Sequence, residues 1–235
     1  MSSCPPHNSE LSANSCSMPG TTEVVLSLLD APANGRVLGL GCYHGDVSLH
    51  LQQRGFQVSS CDLVAYEGKE RLADFRVDDA NQPLPYCEAA FNAILCTDVI
   101  EHLENPARVR PRAAAGGKLV LSTPNVSGMV SRVAYLLRGE FPLFRRYHFD
   151  NWNHISPVSV LWIEATAQRF GMSVERVCSE RGAVSLKRWA IYAASALARP
   201  LLGRQRAAFE TGHSAIVRLR RMSTAARTSG NGDSV

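Results

Sequence analysis

The stretch Arg36–Gly55, RVLGLGCYHGDVSLHLQQRG, decides the fold. Arg36 to Leu40 is an apolar run with the length of a buried strand, and Gly41 and Gly45 fall at the turn that leads from it into a helix. Glycine has no side chain to obstruct a ligand and tolerates unusual dihedrals, so such a turn lets backbone approach a bound molecule closely. The next apolar run, Gln57 to Cys61, ends at Asp62, which lies 21 residues after Gly41. At that spacing an acidic side chain reaches the ribose hydroxyls of an adenosine ligand. The glycines alone would serve equally as plain turn residues; Asp62 in register is what favours a nucleoside site.

Working outward, Phe91 to Cys96 and Lys118 to Ser122 are further apolar runs of strand length. Helical spacing is found at Thr21 to Leu29, with Thr22 as a cap, at Val126 to Leu137 before Gly139, and at Val158 to Phe170 before Gly171. Met172 to Cys178 and Ser214 to Leu219 read as the final strands, and Val184 to Leu197 as a helix broken near Pro200. Strands alternating with helical segments imply an α/β fold with a doubly wound, mostly parallel sheet covered on both faces. The domain is expected over residues 21–222, with a lid loop at 139–157 and a helical insert at 184–206. Residues 1–20 and 223–235, rich in Ser, Pro, Asn, Gly and Thr, read as disordered tails.

Hydrophobic residues make up 45% of the 235 positions and charged ones 20%, enough apolar material for a sizeable core. The net charge of +4 is too small to argue for nucleic-acid binding, and none is expected. Residues 180–227 hold ten Arg and Lys against two Glu, so the positive charge gathers near the C-terminus. The seven cysteines are scattered without a C-x-x-C pair, which suggests neither disulfides nor a thiol zinc site. With no apolar stretch near the N-terminus and no run of about 18 apolar residues, the expected location is the cytoplasm.

The segment VLGLGCYHG resembles the VLDLGCGxG opening of class I S-adenosylmethionine (SAM)-dependent methyltransferases, whose fold is Rossmann-like with an antiparallel last strand. DDANQPLPYCEAAFNAILCTDVIEHLENP resembles the third and fourth strand region of that superfamily, and GGKLVLSTPN its fifth strand. The likeness covers roughly residues 23–179, with SAIVRLRR matching the added last strand. It implies SAM as cofactor and Gly39, Gly41, Cys42, Gly45, Asp62, Leu63, Asp79, Ala80 and Thr97 as its contacts. TPNVSGMVSRVAYLLRGEFPLF followed by HISPVS most resembles methyltransferases of bacterial surface-glycan clusters. Two positions depart from the pattern. Gly39 stands where the family carries an acid that helps hold the methionine ammonium, and Tyr43 replaces the middle glycine. Asp46 is the nearest substitute acid. The stretch between Pro106 and Gly116 is also short by about one helical turn, with Pro111 inside it. These departures leave a non-catalytic SAM-binding scaffold as the alternative.

Methyl transfer from a sulfonium is an in-line displacement, so the protein mainly aligns the acceptor and helps remove its proton. Asp98, Glu101 and His102 follow the fourth strand; on a helix they would share one face, with His102 the best base because its ordinary pKa is near neutrality. The same Glu-His pair would equally serve to cap and order a helix. DVIEH also resembles the E-x-x-E-H segment that binds a divalent ion in ubiquinone-pathway O-methyltransferases and in small-RNA methyltransferases, with Asp98 in place of the first Glu. Many relatives with this pair bind no metal, and no metal ligands are assigned. His148, Trp152 and His154 in the lid loop, beside Arg145, Arg146, Tyr147 and Asp150, suit a small-molecule or glycan acceptor. A solvated connection would have the same composition. The insert 184–206 combines Trp189, Ile191, Tyr192 and Leu197 with five flanking basic residues, which suits either peripheral contact with an anionic membrane or ordinary packing.

Overall fold

The computed structural model describes residues 17–109, 113–180, 193 and 212–222. Except for Ala193, the insert Val184–Arg206 lies outside the described residues, as do Pro111 and the terminal stretches 1–16 and 223–235.

The chain runs α1 (Thr21–Ser27), β1 (Arg36–Leu40), α2 (Asp46–Gln53), β2 (Gln57–Asp62), β3 (Phe75–Val77), β4 (Phe91–Thr97), β5 (Ala113–Pro124), α3 (Met129–Arg138), α4 (Arg146–Trp152), α5 (Val160–Arg169), β6 (Met172–Cys178) and β7 (Ser214–Arg221). The strands form one sheet in the order β3-β2-β1-β4-β5-β7-β6. The first five run parallel, and β7 is antiparallel to both β5 and β6. This is the Rossmann-like doubly wound sheet that the sequence implies. Apolar side chains bury on both faces, Leu38, Ile94, Leu121, Ile163 and Met172 on one and Val25, Val37, Leu51, Val120 and Ile216 on the other. Central strands buried on two faces read as unbroken apolar runs, which is why β1 and β4 were legible.

Several helices begin differently from the expectation. α1 starts after Gly20, in left-handed conformation, and Thr22 is not its cap. Instead both threonines are buried, and Thr21 donates from its hydroxyl to Ser214 Oγ at 3.3 Å. α3 begins at Met129 rather than Val126 because Asn125 and Gly128 close a turn, with the Ser131 hydroxyl donating to the Asn125 carbonyl at 2.7 Å. α5 begins at Val160 because Ser159 caps it, accepting from the Trp162 N–H at 3.1 Å.

The largest difference lies between β4 and β5. Asp98, Glu101 and His102 do not share a helix face. Asp98 adopts a left-handed φ of 52°, and a single 3-10 turn, Ile100–His102, follows it, with another at Pro106–Arg108. Asp98 leaves helical geometry because Ser122 on β5 holds it from across the sheet: the Ser122 hydroxyl donates to Asp98 Oδ1 at 2.6 Å, and the Asp98 N–H donates to Ser122 Oγ at 3.0 Å.

At the far end of the sheet, Glu180 is buried just after β6. Its carboxylate accepts from the backbone N–H groups of His213 and, at 3.0 Å, Ser214, so the end of β6 and the start of β7 are tied together. No described helix is long and apolar enough to cross a membrane.

Candidate functional site

In an open α/β sheet the ligand site lies beyond the carboxyl ends of the strands, where the strand order reverses. Here that point is between β1 and β4, and a cleft of about 720 Å³ opens there. Gly39, Gly41, Cys42, Gly45, Asp62, Leu63, Asp79, Ala80 and Thr97 all line it, as do Asp98, Glu101, His102, Trp152 and His154. His148 does not line it but packs behind, its ring 5.1 Å from Trp152 and 6.2 Å from His154.

Each glycine of the turn has a physical reason. Gly41 has a φ of +68°, and a Cβ there would lie 2.2 Å from Val99 Cγ2, so no larger residue fits. Gly45 has a φ of +84° and precedes α2. At Gly39 a Cβ would meet Ser48 Oγ at 3.0 Å, and Ser48 in turn accepts from the Ser60 hydroxyl at 2.8 Å. A side chain at Gly39 would thus press on a buried serine pair, and Asp46 lines the cleft.

Asp62 presents its carboxylate to the cleft. Its Oδ2 accepts from the Tyr43 N–H at 2.8 Å and its Oδ1 from the Val64 N–H at 3.3 Å, which orients the group and leaves lone pairs for a ligand. Asp79 is fixed likewise by the Asn81 N–H at 2.8 Å. The Cys42 thiol is pushed up to about 12 by burial and then by the Asp62 charge, so it stays protonated and unreactive.

The opposite end of the cleft is built by contacts distant in sequence. The Glu101 carbonyl accepts from the backbone N–H groups of Ile155 at 3.0 Å and Ser156 at 2.9 Å, and the Ser156 hydroxyl donates to the Leu103 carbonyl at 2.6 Å. These bonds stitch the lid to the turn after β4 and bring the His154 ring to 4.9 Å from His102. One ligand atom from each of Glu101, His102 and His154 lies within 4.8 Å of the others. Glu101 is 1% exposed, and its Oε2 lacks a hydrogen-bond partner among the described residues. Burial, and then Asp98, push its carboxyl well above the usual carboxylate range. His154 Nδ1 lies 2.8 Å from the Leu143 carbonyl, an arrangement that places the proton there and leaves Nε2 as the free lone pair. Burial lowers the His154 pKa, which favours the neutral ring.

This half of the site was only partly legible. The sequence singled out Glu101, His102 and His154 but gave no sign that they meet, and Asp98 belongs instead with Ser122. The lid itself, expected as loop, carries the short helix α4. Ser17, Met18, Tyr66 and Asn153 also line the cleft and carry no signal in the sequence.

Residues 20–177 match the family described as "Methyltransferase domain". A ubiquinone biosynthesis O-methyltransferase from Xanthomonas axonopodis pv. citri is 33% identical over 107 residues, 40% of this chain and 45% of the relative. The match thus spans less than half the length of the curated relatives found. In structure the chain is similar to an S-adenosylmethionine dependent methyltransferase from Mesorhizobium loti, with a TM-score of 0.58 at 20% identity over 86% of this chain and 99% of the other. It is also similar to the 1,6-didemethyltoxoflavin-N1-methyltransferase of Burkholderia thailandensis, solved with S-adenosylhomocysteine, with a TM-score of 0.56 at 13% identity over 91% and 82% of the two chains.

Proposed function

Because the chain belongs to the methyltransferase domain family, which implies SAM as cofactor, we propose that it is a working SAM-dependent methyltransferase that O-methylates a small or glycan acceptor. The observation that supports this reading is the single cleft, which joins the glycine turn and Asp62 at one end to Glu101, His102 and His154 at the other. The donor end suits an adenosyl group in its close-approach backbone and in its two oriented carboxylates. SAM supplies an electrophilic methyl group on a sulfonium. Asp62 would accept hydrogen bonds from the ribose hydroxyls, and the Gly41–Gly45 backbone would hold the donor. His102 would take up the proton of the acceptor hydroxyl, with Trp152 and His154 walling the acceptor. The preference for a glycan rests on the resemblance of TPNVSGMVSRVAYLLRGEFPLF and HISPVS alone.

Asp62→Ala removes a charged hydrogen-bond acceptor worth about 1.5–3 kcal/mol, so SAM binding weakens by roughly ten- to a hundredfold. Calorimetry checks this. A wild type that binds no SAM would instead favour the non-catalytic scaffold that Gly39 and Tyr43 keep in view.

A second reading, metal-assisted transfer, is favoured by Glu101 Oε2, which lacks a hydrogen-bond partner among the described residues and lies beside two imidazoles. Glu101, His102 and His154 would hold a divalent ion, which would polarise the acceptor oxygen. Labelled SAM offered to acceptor pools with and without EDTA separates the two: activity abolished by EDTA and restored by added metal selects the second reading, and undiminished activity selects the first. Cytoplasmic placement and membrane contact through 184–206 belong to the same proposal, and co-sedimentation with anionic vesicles at low and high salt tests the contact.

A further inference from the structure

One group in the cleft has no part in the chemistry above. The rings of Tyr43, His44 and Tyr66 line the wall beside Asp62, with centroids 4.1 Å apart for Tyr43 and His44, 4.7 Å for Tyr43 and Tyr66, and 5.5 Å for His44 and Tyr66. Tyr43 occupies the position of a motif glycine and keeps that glycine's kind of backbone, with a φ of 50°. A bulky side chain pays for this conformation where glycine does not. The strain is held by the Tyr43 N–H bond to Asp62 Oδ2 and by the turn that the Gly45 N–H closes on the Cys42 carbonyl at 2.8 Å. Backbone strain of this sort persists where surroundings over-determine it, and it gathers at ligand sites. Asp98 and Asn153, also non-glycine residues with positive φ, line the same cleft.

We infer that Tyr43 is a donor-positioning residue whose ring, backed by His44 and Tyr66, packs against the adenosine half of SAM next to Asp62. The inference rests on the SAM reading above. A nucleoside offers a flat π face and an apolar sugar face, both of which an aromatic ring covers well. Covering them also keeps water from Asp62, and its bonds to the ribose strengthen in the drier surroundings.

The test is calorimetry with two probes, SAM and 5′-methylthioadenosine, which carries the adenosine half without the amino acid. In Tyr43→Gly, which keeps the left-handed backbone without the ring, both probes bind roughly tenfold or more weakly, as expected for loss of one stacked ring. Tyr43→Phe keeps the ring and restores the affinity. Tyr43→Asn, which accepts the left-handed backbone, repeats the affinity loss should the glycine variant fail to fold. Unchanged affinity in the variants lacking the ring overturns the inference, and so does a loss seen with SAM but not with methylthioadenosine. A wild type that binds neither probe sinks the SAM reading itself.

Discussion

Gly41→Ala is expected to cost about 2–5 kcal/mol, from about 1–2 for a side chain forced into the left-handed region and about 1–3 for overpacking. The added methyl would lie 2.2 Å from Val99 Cγ2 and 3.5 Å from both Val99 Cβ and Cγ1. Val99 is β-branched and stiff, and it leads directly into the turn that carries Glu101 and His102. Either the glycine turn moves, or Val99 moves and takes the Ile100–His102 turn with it. If the loss falls on folding, the melting temperature drops by roughly 4–20 °C. If it falls on the bound conformation of the loop, SAM affinity drops by roughly thirtyfold or more. Thermal melts and calorimetry on one preparation read both, and wild-type values in both would contradict the described contact.

On the proposed mechanism, His102→Ala lowers kcat by about 10²–10⁴ while leaving SAM affinity at the wild-type value, because general-base catalysis contributes about that much and His102 lines the cleft at the end proposed for the acceptor. Adding EDTA sharpens the result. Methyl incorporation that survives both the substitution and the chelator removes the base and the metal together and leaves alignment by the cleft as the source of rate.

What the sequence made legible follows from distance along the chain. β1, β4, β7 and the Lys118–Ser122 part of β5 were read because buried strands are apolar over much of their own length, whereas β2 and β6 offered only shorter apolar stretches among polar residues. β3 was not read: it has three residues, sits at the sheet edge, and leaves Val77 60% exposed. The turn after β4 was misread as a helix face because the residue that sets its geometry, Ser122, is 24 positions away. The meeting of Glu101 with His154 depends on backbone bonds spanning more than fifty residues, which no spacing rule reports. Tyr43 was read as a missing glycine, whereas the structure shows glycine's conformation kept with an aromatic ring added.

The clasp made by Glu180 bears on how such a chain can change over time. The buried carboxylate of Glu180, just before the stretch 181–211, accepts from the backbone N–H groups of His213 and Ser214, just after it, so the two ends of the connection are held side by side at the sheet. Once the ends of a connection are pinned, each doubling of its length costs only about 0.6 kcal/mol more in closure entropy. Segments of different length and composition can therefore be exchanged there like cassettes, with the glycine turn after β1 left untouched.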